Sequence, residues 1–240
     1  MKRRHLLGLI VAASTLMPPA AGAEPITFFG FDSGLGELAR LSSSPNADAA
    51  RAAFMANLVG AGTEDFESYA AGTTAPLAIA FPGAGTATFF GDGSIASQPS
   101  GTNGFGRYPV SGSQFWDRQE AFSIAFSEPI AAFGFYGVDI GDFGGRMRLW
   151  LADGGSTYLD VPHDIDQAGG SVMYFGFYDL DQQFVGITFG DNYASGTDFF
   201  GLDDLTVASR AQVHPVPEPA SALLVGLGLA GLAAVRRRRE

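Results

Sequence analysis

Cysteine is absent from all 240 residues. That removes a thiol nucleophile, a cysteine-ligated zinc site and a disulfide framework at once. It sets no bar to export, because a domain of this length buries enough core without covalent staples. Histidine is scarce: beyond His5 there are only His163 and His214. His214 stands beside Pro215 and is expected to face solvent. A Ser-His-Asp hydrolase would have only His163 as its base, in the polar stretch Pro162-His163-Asp164, and no Gly-x-Ser-x-Gly elbow is present. A His-rich metal site is disfavoured by the same scarcity. Positive charge is missing from the middle of the chain. Between residues 24 and 217 there is no lysine, and seven basic residues face 23 acidic ones, a formal charge of about −16. Nucleic acid is therefore a poor partner, since phosphate binding needs clustered Lys and Arg. Calcium or a neutral sugar polymer suits this balance better.

What is present is 46% hydrophobic residues with 33 glycines and 13 prolines, the composition of a turn-rich globular fold. The two ends stand apart from it. Lys2, Arg3 and Arg4 form a basic n-region, Leu6 to Met17 an apolar run, and Ala21-Gly22-Ala23 a small-x-small cleavage pattern. Residues 1–23 thus read as a secretory signal, with the mature chain starting at Glu24. At the other end Val216-Pro217-Glu218-Pro219 is a stiff, extended piece. Ala220 to Val235 carries no charge and as a helix spans roughly 24 Å. That is short for a membrane crossing but workable with snorkelling arginines. Arg236 to Arg239 then reads as a cytoplasmic stop.

Val216-Pro217-Glu218-Pro219-Ala220-Ser221, the Gly/Leu/Ala helix and the four terminal arginines resemble, in each part and in their order, the PEP-CTERM sorting signal. The resemblance implies recognition by an exosortase, a membrane-embedded cysteine transpeptidase. It also implies a transient inner-membrane anchor removed near Pro217 to Pro219, and delivery to the outer surface or an exopolysaccharide matrix.

Between the ends, Ile26 to Phe31 reads as a first strand. Ser44-Pro45 gives a helix cap and a proline at the first helical position, and Ala53, Phe54 and Leu58 follow at helical spacing, so a helix is predicted over 45–59, stopped by Gly60. From Thr63 onward strands are predicted at 63–69, 77–81, 85–90, 105–109, 120–127, 130–138, 146–152, 156–161, 171–178, 183–189 and 198–208. Alternation is clearest in Ala121 to Phe126 and in Arg146 to Leu151, and Asp153-Gly154-Gly155 is a hairpin turn. Phe133-Gly134-Phe135-Tyr136 recurs as Phe175-Gly176-Phe177-Tyr178, which suggests two equivalent core strands with a glycine where the chain bends or another backbone comes close. Many short strands at even spacing predict a mainly β fold, a two-sheet antiparallel β-sandwich of jelly-roll type over 63–210. A strand and short helix precede it over 24–62, and a linker with the sorting motif follows over 211–219. The order of motifs, closing on Phe200-Gly201-Leu202-Asp203-Asp204-Leu205-Thr206-Val207, also resembles jelly-roll domains of the galactose-binding and concanavalin-like type, which implies a fold rather than an activity.

Carboxylates are the chemistry in supply. A glycosidase needs two of them facing at about 5 to 10 Å, and Glu64, Asp65, Glu67, Glu120 and Glu128 are candidates without a distinguishing pattern. Calcium, which takes six to eight oxygens, uses acid more readily. One candidate site joins Asp65 and Glu67, beside Glu64, to Asp203 and Asp204, because first and last strands of a jelly roll often neighbour each other. A second takes Asp139, Asp142, Asp179 and Asp181. For sugar stacking, Trp116 sits in a Ser/Gly/Gln-rich loop and is the candidate ligand-binding residue, while Trp150 is assigned to the core. The reading that results is an exported, exosortase-sorted surface or matrix protein, non-catalytic, with a polysaccharide as the plausible ligand and its acidic clusters either a solvated surface or sites for structural calcium. The alternative is a glycoside hydrolase or lyase working with paired carboxylates.

Overall fold

The computed structural model describes residues 24–118, 122–140, 145–162, 169–189 and 199–214. The signal segment, Glu120, Asp142, His163 and everything from residue 215, including the sorting motif and the segment 220–235, lie outside these residues. Among the described residues no helix is long and apolar enough to cross a membrane.

The first strand, β1 (Ile26–Asp32), leads through a loop to α1 (Pro45–Met55). Pro45 occupies the first turn, where its missing N–H is no loss. The cap itself is remote in sequence: the Asp32 carboxylate accepts from Asn46 N at 3.1 Å and Ala47 N at 2.9 Å. The helix ends four residues before the expected Val59. Residues 57–59 are drawn instead into pairing with the end of the sandwich, where Val59 N donates to Gln212 O at 2.9 Å and His214 N to Asn57 O at 2.7 Å.

Twelve further strands follow: β2 (Gly62–Glu64), β3 (Leu77–Phe81), β4 (Gly85–Gly91), β5 (Ser94–Ser97), β6 (Gln114–Asp117), β7 (Phe122–Ile130), β8 (Ala132–Val138), β9 (Arg146–Leu151), β10 (Ser156–Asp160), β11 (Val172–Tyr178), β12 (Phe184–Phe189) and β13 (Gly201–Ala208). They form two antiparallel sheets. One runs β1-β11-β8-β13-β6-β5, with β2 also paired to β13, and the other runs β10-β9-β12-β7-β4-β3. Within these, β6-β13-β8-β11 faces β7-β12-β9-β10, so the last eight strands have the jelly-roll order.

Two expected strands change for local reasons. The strand predicted at 63–69 stops at Glu64, because Phe66 takes φ +61° in a turn closed by Phe66 N donating to Glu64 Oε1 at 2.6 Å. Residues 105–109 form no strand: Gly104 and Gly106 have φ +90° and +79°, and Asn103 folds the loop back on Arg107. The strand partners needed there come from β5 and β6, two four-residue strands rich in Ser, Gln and Asp that alternate too weakly to stand out.

The core divides in two. Between the sheets lie Phe89, Trp116, Phe122, Phe133, Phe135, Phe175, Phe177, Phe189 and their aliphatic neighbours. Outside the first sheet, α1 packs Ala47, Ala50 and Phe54 against Tyr136, Tyr174, Tyr178 and Phe28. The two Phe-Gly-Phe-Tyr segments are adjacent and in register, Gly134 opposite Gly176. Their phenylalanines fill the inter-sheet core while the glycines face the helix. A Cβ at Gly134 would lie 2.8 Å from Phe54 Cε1, and one at Gly176 would lie 2.9 Å from Phe54 Cγ. The close approach expected at these glycines is thus that of an aromatic ring rather than a backbone. Gly176→Ala is expected to displace Phe54 and destabilise the protein by about 1–3 kcal/mol, the usual cost of overpacking. Chemical denaturation checks this, and Phe54→Leu in the same chain should recover part of the loss.

Since α1 packs on the first sheet, no element among the described residues covers the outer face of the second sheet. Its outward side chains include Phe90, Ala125, Trp150 and Tyr158, all exposed.

Candidate functional site

The acidic residues singled out as calcium ligands do lie near one another. β2 pairs with β13, Leu205 opposite Glu64, so the start and end of the sandwich neighbour as expected. The carboxylates, however, serve the loop before β6. Asp203 is completely buried and its Oδ2 accepts from Val110 N at 2.7 Å and Ser111 N at 2.9 Å, while Oδ1 accepts from Asp204 N at 2.8 Å. Glu67 accepts from Ser113 N at 2.6 Å and Gln114 N at 2.5 Å, and its other oxygen from Ser113 Oγ at 3.0 Å. Asp204 accepts from Ser111 Oγ at 2.8 Å and lies 3.5 Å from Arg51 Nη2. Asp65 closes a local turn with Glu67 N at 3.1 Å. The two carboxylates of Asp203 and Glu67 thus grip residues 110–114 from either end, across the gap where β13 changes partner from β6 to β2. A bulge between Asp203 and Thr206, with Asp204 at φ +46°, makes that change.

Burial pushes the pKa of Asp203 up to about 8, and neighbouring Asp204 adds to this against the downward pull of the three N–H donors. Glu67 goes the other way. Its modest desolvation is outweighed by the donors on Ser113 and Gln114, which hold it below the ordinary carboxylate range. Among the described residues no group of three His, Cys, Asp or Glu can hold a metal ion. Of the second expected acidic set, Asp142 lies outside the described residues; Asp139 accepts from Gly170 N at 2.9 Å, and one oxygen of Asp179 closes a turn, accepting from Asp181 N at 2.7 Å and Gln182 N at 2.9 Å.

A cleft of about 610 Å³ adjoins the gripped loop, between residues 40–44 with the start of α1 and the segment Tyr108 to Val110. Tyr108 braces it, accepting from Leu41 N at 3.1 Å and donating to Gly170 O at 2.9 Å, with the Arg40 guanidinium 5.1 Å over its ring. Asp48 on its wall is taken by Tyr136 Oη at 2.7 Å. These polar groups are occupied in holding the two loops and the helix together.

The assignments of the two tryptophans must be exchanged. Trp116 lies on β6, is 0% exposed, and packs edge-on against Phe89 with ring centroids 5.1 Å apart. It offers no face to a ligand. Gly93 fits against its indole, where any Cβ would collide. Trp150 is 40% exposed. In β9 the parity of Met147, Leu149 and Leu151 points inward, so Trp150 shares the outward face with Arg146 and Arg148.

On that face the side chains interlock. The Arg148 guanidinium stands 4.1 Å from the Trp150 ring centroid and 5.8 Å from that of Tyr158, and Arg146 stands 5.1 Å over Tyr158. Arg148 Nε donates to Ser156 Oγ at 2.9 Å, and Trp150 Nε1 to Thr188 Oγ1 at 3.0 Å. The pairing continues this group across the sheet in two rows. One reads Tyr158, Arg148, Thr188, Ser123, Phe90, and the other Ser156, Trp150, Gly186, Ala125, Thr88, Ala78. Large aromatic and basic groups stand at the β9–β10 side. Small and hydroxylated residues pave the remainder as far as Phe90. This is the arrangement that the sequence reading missed. The parity of Arg146, Arg148 and Trp150 and the Asp153-Gly154-Gly155 turn, which sets Tyr158 opposite Arg148, were the signals that hold it.

No curated protein matches the chain. Among solved structures, the K2 cleaved adhesin domain of Lys-gingipain is similar over 62% of this chain and 97% of that one, with 16% identity and a TM-score of 0.39. A likeness of that size leaves the fold to be read from the strand order above. Residues 215–239, directly after the last described residue, match the family model of the PEP-CTERM protein-sorting motif, and the chain is thereby a carrier of that sorting signal.

Proposed function

We propose that this protein is a non-catalytic polysaccharide-binding component of the cell surface or exopolysaccharide matrix, sorted there by an exosortase through its C-terminal motif. The observation that carries the binding role is the uncovered face of the second sheet, with Trp150 and Tyr158 exposed beside a flat strip of small and hydroxylated side chains. Flat aromatic and hydroxyl surface on a rigid sheet suits an extended sugar chain, whose apolar ring faces pack on aromatics while its hydroxyls exchange hydrogen bonds with side chains and water. A non-catalytic role is favoured because Glu67, Asp203 and Asp204, the carboxylates nearest to forming a cluster, are engaged with protein donors.

A glycan array probed with the purified protein tests the binding role. Trp150→Ala combined with Tyr158→Ala is expected to lower affinity for the bound glycans at least tenfold, about 1.4 kcal/mol or more. Melting temperature should move little, since both rings sit on the exposed face. Unchanged glycan binding by the double variant would remove this face from the reading, and turnover of a bound polysaccharide would replace binding with catalysis.

A further inference from the structure

We propose that the outer face of the second sheet recognises an acidic polysaccharide, with Arg148 as the principal reader of its carboxylates and Arg146 as the second. This rests on the reading of that face as a polysaccharide surface and names the class of polymer it takes.

The case begins with how Arg148 is held. Its guanidinium stands between the rings of Trp150 and Tyr158, and its Nε is tied to Ser156 Oγ. A sugar ring packed on the exposed remainder of these aromatics therefore meets a cation held beside it. Among the described residues the ion pairs are Arg51–Asp204, Arg107–Asp117 and Arg146–Asp160, and none of these residues gives Arg148 a carboxylate partner. What sets Arg148 apart is geometry: its guanidinium is held against two rings and tied by Nε, with its terminal nitrogens taken by no hydrogen bond among the described residues. Its planar fork matches a carboxylate in a paired geometry, and prior immobilisation reduces the entropy lost on binding.

Arg146 lies two residues away on the same strand and face, about 7 Å along it. Its contact with Asp160 joins side chains that are 55% and 82% exposed. Exposed pairs of this kind contribute little, so a ligand carboxylate can take the place of Asp160. Beyond the arginines, the row through Thr188 and Ser123 to Phe90 crosses five strands, about 19 Å at the usual strand spacing of about 4.8 Å. That length suits a polymer lying across the sheet better than a single small anion. The acidic remainder of the domain repels a polyanion, which confines favourable contact to this strip and disfavours binding elsewhere.

The test compares polymers that differ only in charge. The purified full-length protein in detergent, free of calcium, is titrated with polygalacturonate and alginate, and with their carboxyl-reduced forms. The acidic forms are expected to bind at least tenfold tighter, with affinity falling as salt rises. Arg148→Gln is expected to bring acidic binding down to the level of the reduced forms, and Arg146→Gln to lower it several-fold. Arg148→Lys should fall between, because it keeps the charge but loses the fork. Melting temperatures of all three should stay near that of the parent. Equal binding of acidic and reduced polymers overturns the charge preference and leaves the polysaccharide reading standing. Binding of neither overturns both. Acidic preference that survives Arg148→Gln overturns the assignment to this face.

Discussion

Asp203→Ala is expected to cost about 3–5 kcal/mol of stability, the largest effect of any single substitution proposed for the domain. The side chain is completely buried and accepts from three backbone N–H groups, on Val110, Ser111 and Asp204. Removing it strands three donors in the interior at about 1–3 kcal/mol each before any relaxation. The loop before β6 would be freed at one end, and amide exchange at Val110 and Ser111 should accelerate with the loss. Native amides at those positions that remain protected in the variant would contradict this role.

The same residue gives stability a pH dependence with a definite sign. The folded-state pKa of Asp203 is raised to about 8 by burial, above an unfolded value of about 3.9. The folded protein therefore holds a proton that the unfolded chain gives up. The contribution is fully present below about pH 4 and is lost as pH rises toward about 8. The slope is at most about 1.4 kcal/mol per pH unit. Glu67, with its lowered pKa, acts oppositely and lower down, adding stability above its ordinary value and losing it as pH falls. Between pH 5 and 8 the Asp203 effect dominates, so melting temperature should decline across that interval. Asp203→Asn should begin lower, because its amide group faces the N–H of Asp204, and should flatten the decline. An equal slope in both proteins would mean that another group titrates.

Replacing Pro217, Glu218 and Pro219 by three alanines is expected to abolish processing altogether. The motif at 215–239 is the sorting signal, and Pro217 and Pro219 within it withhold N–H groups and bias the chain toward an extended form. Three alanines restore those N–H groups and favour helix instead. The expected product is a larger form that accumulates in the inner-membrane fraction of an exosortase-competent host. A form of unchanged size and location would separate this protein's export from its motif. The described domain should be indifferent to the change, because its last pairing, Val213 with Leu58, precedes the motif.

Much of the sandwich was legible because alternation with a buried face leaves a period-two trace. β7 and β9 carry it plainly, and the paired Phe-Gly-Phe-Tyr segments announced two equivalent strands. β5 and β6 left no such trace because they are four residues long and polar. The roles of Asp203 and Glu67 were hidden for another reason. Their partners are backbone N–H groups some 92 and 46 residues away, and a backbone donor has no signature in sequence. The acids were seen, but the competition between a cation and a distant loop could not be decided without the fold. The tryptophans illustrate a third cause. The alternating strand assigned Trp150 to the core, but alternation alone does not say which parity faces in: Met147 and Leu149 take the buried side and leave Trp150 outside with the arginines. Trp116 looked loop-like from its Ser and Gln neighbours, yet β6 is a sheet strand backed by β13.

The clasp between residues 57–59 and 212–214 would have a mechanical meaning if the chain were pulled from its C-terminal side. Such a pull would enter the described domain at His214 and load this short pairing first. Behind it stands β13, which is hydrogen-bonded to β8 along one edge and to β6 and β2 along the other. A strand anchored along both edges must shear two ladders to be drawn out. A pull from that side is therefore expected to open the short pairing before either ladder of β13 shears.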